Sequence, residues 1–307
     1  RAPLLGIICG SSSAQGREEY STLPRGHGTR VDTPKWLCYN AGVMSLEHIP
    51  PPPSAAPRVE VIGVAGIPEI QPDDQLGEII VQAARHQGTP VEPGDILVVT
   101  QKVVSKSEGQ VVDLREVDPS ASAVKLADET GKDPRLVQLI LSESRSIVRV
   151  DAARGIIITE TTHGFVCANS GIDASNVPGD ELVCLLPKQP DESADLIREQ
   201  VRAASGVSVA VIISDTFGRA WREGHVNFAI GVSGMDPMKD YRGLPDAYGT
   251  ILNVTTIAVA DELAAAAELA TGKSIHVPVA LVKGYEYSTG PEGVQSLLRE
   301  RSKDLFR

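Results

Sequence analysis

The chain has 307 residues, 42% hydrophobic and 22% charged, with a net charge of −11. This is the balance of a globular protein with core enough for one large domain or two intertwined ones, and so acidic a chain is not built to hold nucleic acid. Cys9, Cys38, Cys167 and Cys184 form no Cys-x-x-Cys pair, and neither an apolar run of ~18 residues nor a signal core is present, so no disulfide framework, zinc site or membrane association is expected and the cytoplasm is the expected compartment.

Residues 1–57 are rich in Ser, Gly, Pro and Arg and close on Pro50-Pro51-Pro52-Pro53. They read as a tail and linker too poor in apolar residues to offset the entropy of ordering, with Met44 as an alternative start. From Arg58 the pattern changes. Val59, Val61 and Val64 begin a strand, and a loop stiffened by Pro68 and Pro72 follows. Asp73 and Asp74 then precede Leu76, Ile79, Ile80 and Ala83, which are spaced for one helix face. After a turn at Gly94-Asp95, Ile96–Val99 reads as a buried strand delivering Thr100–Gly109. Two readings are open for Lys102 and Lys106 in that segment: cations for phosphate oxygens, or lysines keeping an exposed strand edge soluble.

Helices are expected over Ala121–Thr130, ending at Gly131, and over Arg135–Leu141, then a hairpin of Ile147–Val150 with Ile156–Ile158. A polar cluster spans His163–Val177. Its turn, Asn169-Ser170-Gly171, leads to Asp173 and Asn176, which either aim a carboxylate and an amide at one ion or ligand or satisfy their own loop backbone. An amphipathic helix at 191–205 leads through Gly206 to Val209–Ile213, an uncharged β-branched run that reads as a buried strand. Ser214, Asp215 and Thr216 follow, Phe217 and Gly218 are expected to turn the chain, and Arg219, Arg222 and Glu223 come next. A second apolar run, Phe228–Val232, ends at Ser233-Gly234.

Polar groups just past a buried strand stand where α/β proteins concentrate their sites. Asp215 beside Thr216 suits a hard cation such as Mg²⁺ or Mn²⁺, and the arginines suit phosphate or carboxylate. The alternative is that Asp215 caps a helix and the arginines are solvated. Beyond a polar loop holding Asp236, Asp240, Arg242 and Asp246, a strand is expected at Ile251–Val259 and an alanine-rich helix at Asp261–Ala270. Thr271-Gly272-Lys273-Ser274 is no P-loop, because Ala267 stands where that pattern needs Gly and a helix precedes it; Gly272 reads as a helix C-terminal cap, with Lys273 able to reach a phosphate. Val277–Val282 closes the core and a short helix ends the chain.

Ile67-Pro68-Glu69-Ile70, Thr100–Gly109, His163–Val177 and Ser214-Asp215-Thr216-Phe217-Gly218-Arg219 through Gly234, in this order and spacing, resemble the coenzyme F420-0:L-glutamate ligases, the γ-glutamyl ligases of F420 biosynthesis, over about residues 58–305. The resemblance implies an α+β fold of mixed sheets with flanking helices in residues 58–307, assembled as an intertwined homodimer. It also implies GTP-dependent addition of L-glutamate to coenzyme F420-0 through a γ-linked amide, by way of an acyl phosphate, with release of GDP and phosphate. Position by position, it implies that Ile67, Pro68, Glu69, Ile70, Gln101, Lys106 and Asn176 contact GTP. Asp173, Asp215 and Thr216 would hold a pair of divalent ions, Mg²⁺ or Mn²⁺, with K⁺ as a further ion, and Gly272 and Lys273 would add a nucleotide and metal contact, although Met-Gly is common in the family there. Arg219, Arg222 and Glu223 are the catalytic candidates, the arginines because both substrates are acidic. Two rivals remain: a ligase for a different acidic acceptor, and a nucleotide-binding homologue without turnover.

Overall fold

The computed structural model describes residues 56–175, 179, 181–291 and 293–305. The tail expected at 1–57 therefore lies almost wholly outside the described residues, as do Met44, Cys9 and Cys38.

Strand β1 (Glu60–Gly63) leads through the Pro68 loop to helix α1 (Leu76–Gln87), which buries Leu76, Ile80 and Ala83 of the expected face together with Val81 and Ala84, while Ile79 is only half-buried. Gly88 ends the helix in the left-handed region at φ 84°. Strand β2 (Ile96–Thr100) is buried until its last residue and passes directly into helix α2 (Gln101–Ser107). The strand-edge reading of Lys102 and Lys106 is thereby overturned: they stand one helical turn apart on one face. Strand β3 (Val111–Asp113) precedes helices α3 (Ala121–Thr130) and α4 (Pro134–Ser142), which match expectation closely. Ser120 and Gly131 cap α3, and the Asp133 carboxylate accepts the Arg135 amide to start α4.

Strands β4 (Ser144–Asp151) and β5 (Ile156–Thr161) form the expected hairpin, to which β6 (Val166–Ala168) adds a third strand. A single 3₁₀ turn, Asn169–Gly171, follows, with Asn169 and Ser170 both at positive φ. Strand β7 (Leu182–Cys184) pairs with β3, and helix α5 (Pro190–Ser205) ends at Gly206. Strands β8 (Ala210–Arg219) and β9 (Arg222–Ser233) make a long hairpin. The expected turn at Phe217-Gly218 is overturned. Phe217 pairs with Val226 and Gly218 with His225, so cross-strand bonding carries β8 past the glycine, and the chain reverses at Ala220-Trp221, with Trp221 at φ 59°. Asp215 therefore caps no helix.

Strands β10 (Lys239–Asp240) and β11 (Thr256–Ile257) pair only with each other. The strand expected at Ile251–Val259 is reduced to these two residues, because its β-branched run meets no longer partner and Val259 already opens helix α6 (Val259–Thr271). Strand β12 (Val279–Lys283) begins two residues later than expected, and the C-terminal helix is replaced by 3₁₀ turns at Val294–Leu297 and Arg301–Lys303. Among the described residues, no helix is long and apolar enough to cross a membrane.

The architecture is mixed α/β with several sheets. The central sheet runs β1-β12-β2-β8-β9, with β2 and β8 parallel and the other pairs antiparallel. Its side chains alternate between two covered faces. Leu97, Val99, Val211, Ile213 and Leu281 pack with α1 and α5 residues; Ile96, Val98, Ile212, Ala280 and Val282 pack with α6 residues. Because both faces are covered, these strands read as uninterrupted apolar runs, and each fully buried Ile or Leu contributes about 1.5–3 kcal/mol. A third core gathers Ala123, Ala127, Val137, Ile140 and Ile157 under α3 and α4. At the sheet's edge, β9 has two amides taken by carboxylates from first helical turns: Ala229 donates to Asp261 at 3.0 Å and Val232 to Asp191 at 2.8 Å. Those bonds tie α6 and α5 to the strand and remove edge donors.

Candidate functional site

Strands β1, β2 and β8 run the same way, so their carboxyl ends reach one edge of the sheet, where β12 also begins. Six segments wall one cavity of about 750 Å³ there. They are Ile67–Ile70 after β1, the start of α2 with Gln101, Lys102 and Lys106, the Gly171–Asp173 stretch, Ser214–Gly218 on β8, His225 and Asn227 on β9, and the segment from the end of α6 to Pro278 before β12.

Specific contacts fasten these walls together. Lys106 Nζ lies 2.5 Å from Glu69 Oε1, joining α2 to the proline loop. Lys102 Nζ stands 2.7 Å from both Asp173 Oδ2 and Ser175 Oγ. The Asp173 backbone is pinned to Cys184 in both directions, at 3.1 and 2.9 Å, which holds its carboxylate over the cavity. Thr216 Oγ1 donates to Asn227 Oδ1 across the hairpin at 2.7 Å and accepts from Lys273 Nζ. Gln101 is 2% exposed; its Oε1 accepts from Ser105 Oγ, whereas its Nε2 has no partner within the protein. A buried amide donor left open in a cavity wall is an anchor for an acceptor on a ligand, since leaving it unbonded costs about 1–3 kcal/mol.

The carboxylates differ in charge balance. Burial pushes the Asp215 carboxyl up to about 6, more than the Thr216 amide and the lysines restore, and Asp173 adds repulsion. For Asp173, burial also acts upward, but the Lys102 ammonium and the Ser175 amide and hydroxyl outweigh it and hold the carboxyl below its usual range. Burial and the Asp215 charge push the Cys167 thiol up to about 12, which makes that cysteine inert. Cys184 is likewise free and buried.

Two carboxylates that repel each other across a cavity lined by hydroxyl and amide oxygens fit a hard divalent cation, which would relieve that repulsion. Among the described residues, no group of three His, Cys, Asp or Glu side chains could enclose a metal by itself. Such an open donor set suits Mg²⁺ or Mn²⁺, which commonly take one or two carboxylates and complete their shell with water and phosphate.

Of the residues singled out from sequence, Ile67, Pro68, Glu69, Ile70, Gln101, Lys106, Asp173, Asp215, Thr216, Gly272 and Lys273 all line this cavity. Arg219, Arg222 and Glu223 do not: they stand at the exposed end of the β8–β9 hairpin, with Arg219 Nη2 donating to the Glu223 carbonyl at 3.4 Å. Asn176 lies outside the described residues. Sequence reasoning gave no role to His225, Asn227, Glu268 or His276, which also line the cavity. Asn227 carried a usable signal, an amide set directly before the apolar run Phe228–Val232; His276, at φ 55° in a loop, carried none.

Residues 65–284 match the family model described as F420-0:Gamma-glutamyl ligase. The coenzyme F420:L-glutamate ligase of Methanothermobacter thermautotrophicus is 46% identical over 252 residues, which are 81% of this chain and 99% of that protein. The enzyme of the same name from Methanocaldococcus jannaschii is 43% identical over 253 residues, 81% of this chain and 97% of its own. That of Methanopyrus kandleri is 43% identical over 244 residues, 78% and 94%.

Proposed function

The chain belongs to the F420-0:gamma-glutamyl ligase family, and from that premise we propose that it joins L-glutamate to coenzyme F420-0 through a γ-linked amide at the expense of GTP. One observation carries this reading: the motif residues, scattered from Ile67 to Lys273, wall a single cavity that combines phosphate-binding cations with oxygen donors for a metal.

An amide does not form readily from a free carboxylate, because the leaving group would be oxide. In the proposed reaction a carboxylate oxygen of F420-0 attacks the γ-phosphorus of GTP and the bond to the β-phosphate oxygen breaks, releasing GDP. The glutamate amine then attacks the acyl carbon, phosphate departs with the carbon–oxygen bond's electrons, and the amine proton passes to solvent or a basic side chain. Lys106 and Gln101 are assigned to nucleotide oxygens, and the Ile67–Ile70 loop to the face of the nucleotide. Asp215, Asp173 and Thr216 are assigned to a pair of divalent cations, which when bound would neutralise charge on the phosphates during transfer. Arg219 and Arg222, at the hairpin end, are assigned to the acidic groups of the acceptor and of glutamate, with Glu223 beside them.

With GTP, Mn²⁺, F420-0 and L-glutamate, the purified protein is expected to yield GDP, phosphate and F420 lengthened by glutamate, detected by mass spectrometry. Extension of another acidic acceptor with F420-0 untouched would remove the acceptor from the proposal and leave the chemistry. GTP binding without GDP formation would reduce the protein to a nucleotide-binding homologue.

The homodimer belongs to the same proposal. Between β10 and β11 the chain exposes Leu244, Tyr248, Ile251 and Val254, the last 87% exposed, which is apolar surface that a second copy would cover. Val254→Lys is expected to shift the protein from dimer to monomer in sedimentation velocity without lowering its melting temperature at high dilution; an unchanged dimer would exclude this face.

A further inference from the structure

The Thr216 hydroxyl, one of the oxygens assigned to metal, is already engaged on two sides. Its proton goes to Asn227 Oδ1 at 2.7 Å, and it accepts from the Lys273 ammonium. Lys273 is held there by backbone. Helix α6 ends at Gly272, whose amide donates to the Glu268 carbonyl at 2.8 Å and whose φ of 56° with ψ of −175° is a combination open essentially to glycine. The chain thereby leaves the helix at a set angle, and the lysine that follows reaches across to β8. Its charge also acts on Asp215, holding that carboxyl down against burial.

A second divalent ion at Thr216 would sit against the Lys273 ammonium, which already donates to that hydroxyl, and the like charges would repel.

We propose that this chain takes one divalent cation, held by Asp215 and Asp173, and that the tethered Lys273 ammonium stands in for the second ion of the pair expected at Thr216. The proposal rests on the ligase reading for the identity of the site and specifies its metal content. Lys273 is then a positioning residue: it fixes the Thr216–Asn227 contact and supplies a positive charge that neither dissociates nor depends on metal concentration.

The test counts metal rather than turnover. Wild-type protein, Lys273→Gln and Lys273→Ala are dialysed to equilibrium against Mn²⁺ with GDP, and bound Mn²⁺ per chain is measured with its electron paramagnetic resonance spectrum. One Mn²⁺ with an uncoupled spectrum is expected for the wild type. Lys273→Gln, which replaces the ammonium with an amide oxygen, is expected to bind a second Mn²⁺ and show a spin-coupled spectrum, and Lys273→Ala to do so more weakly, with water completing the shell. Two Mn²⁺ in the wild type, one in both variants, or none in the wild type would each overturn the proposal. Ligase activity is scored separately by product mass, so an active wild type with two ions defeats this inference alone.

Discussion

Asp215→Asn is expected to move two measurements in opposite directions: metal-dependent turnover falls by a hundredfold or more, and the metal-free protein becomes harder to unfold at neutral pH. The first follows from removing a charged oxygen donor from the cation and from the phosphoryl transfer it supports. The second follows from the carboxyl being pushed up to about 6 from an ordinary 3.8. At about 1.4 kcal/mol per pH unit, that difference amounts to on the order of 3 kcal/mol. The folded metal-free state binds the Asp215 proton more tightly than the unfolded chain does, so stability is lost as pH rises from about 4 to about 6 and stays lost above it. Asparagine carries no charge to desolvate. Its advantage is therefore greatest at pH 7 and gone near pH 4, which melting curves of both proteins at the two pH values would reveal. A purely structural Asp215 predicts a lower melting temperature with turnover intact, and that result would end the metal assignment.

Gly231→Ala is expected to cost about 3 kcal/mol of stability, although it adds only a methyl group. Gly231 lies on β9 opposite Ile213, and a Cβ built there would stand 2.4 Å from the Pro190 carbonyl oxygen and 2.6 Å from its carbon. Both are backbone atoms at the first turn of α5, so no side chain can swing aside and the helix itself must retreat. That movement would also pull Asp191 away from the Val232 amide. Urea unfolding should show a lower midpoint with an unchanged slope, and because the same hairpin carries Asp215 and Thr216, Mn²⁺ affinity should fall as well. A midpoint within error of the wild type would mean that α5 is not seated on β9 as described.

Much of the frame was readable because its causes are local. Val209–Ile213 and Ile96–Val99 announce themselves as apolar runs, since a strand covered on both faces has no polar positions to reveal. Ser120, Gly131 and Gly206 mark helix ends through capping and left-handed geometry, which depend on a few neighbouring residues. Asp173, Asp215 and Lys273 stood out for a similar reason, as charged side chains after a turn, past a buried strand and past a helix end, and the structure brings all three to one cavity.

Other features have no local cause. Phe217-Gly218 has turn composition, yet β9 supplies it with cross-strand partners, whereas Ile251–Val259 has strand composition and finds almost none. Hydrogen bonding between distant segments outweighed propensity in both directions. Sequence by itself determined which side chains bring charge, a hydroxyl or a glycine's freedom to each position, because these are properties of single residues. Only the tertiary structure decided that Lys102 meets Asp173, that Lys273 crosses to Thr216 and that Asn227 waits behind it, while the arginines end at the rim. Those pairings follow from how parallel and antiparallel strands bring their ends to one edge of the sheet, and that is a matter of topology which no stretch of the chain encodes alone.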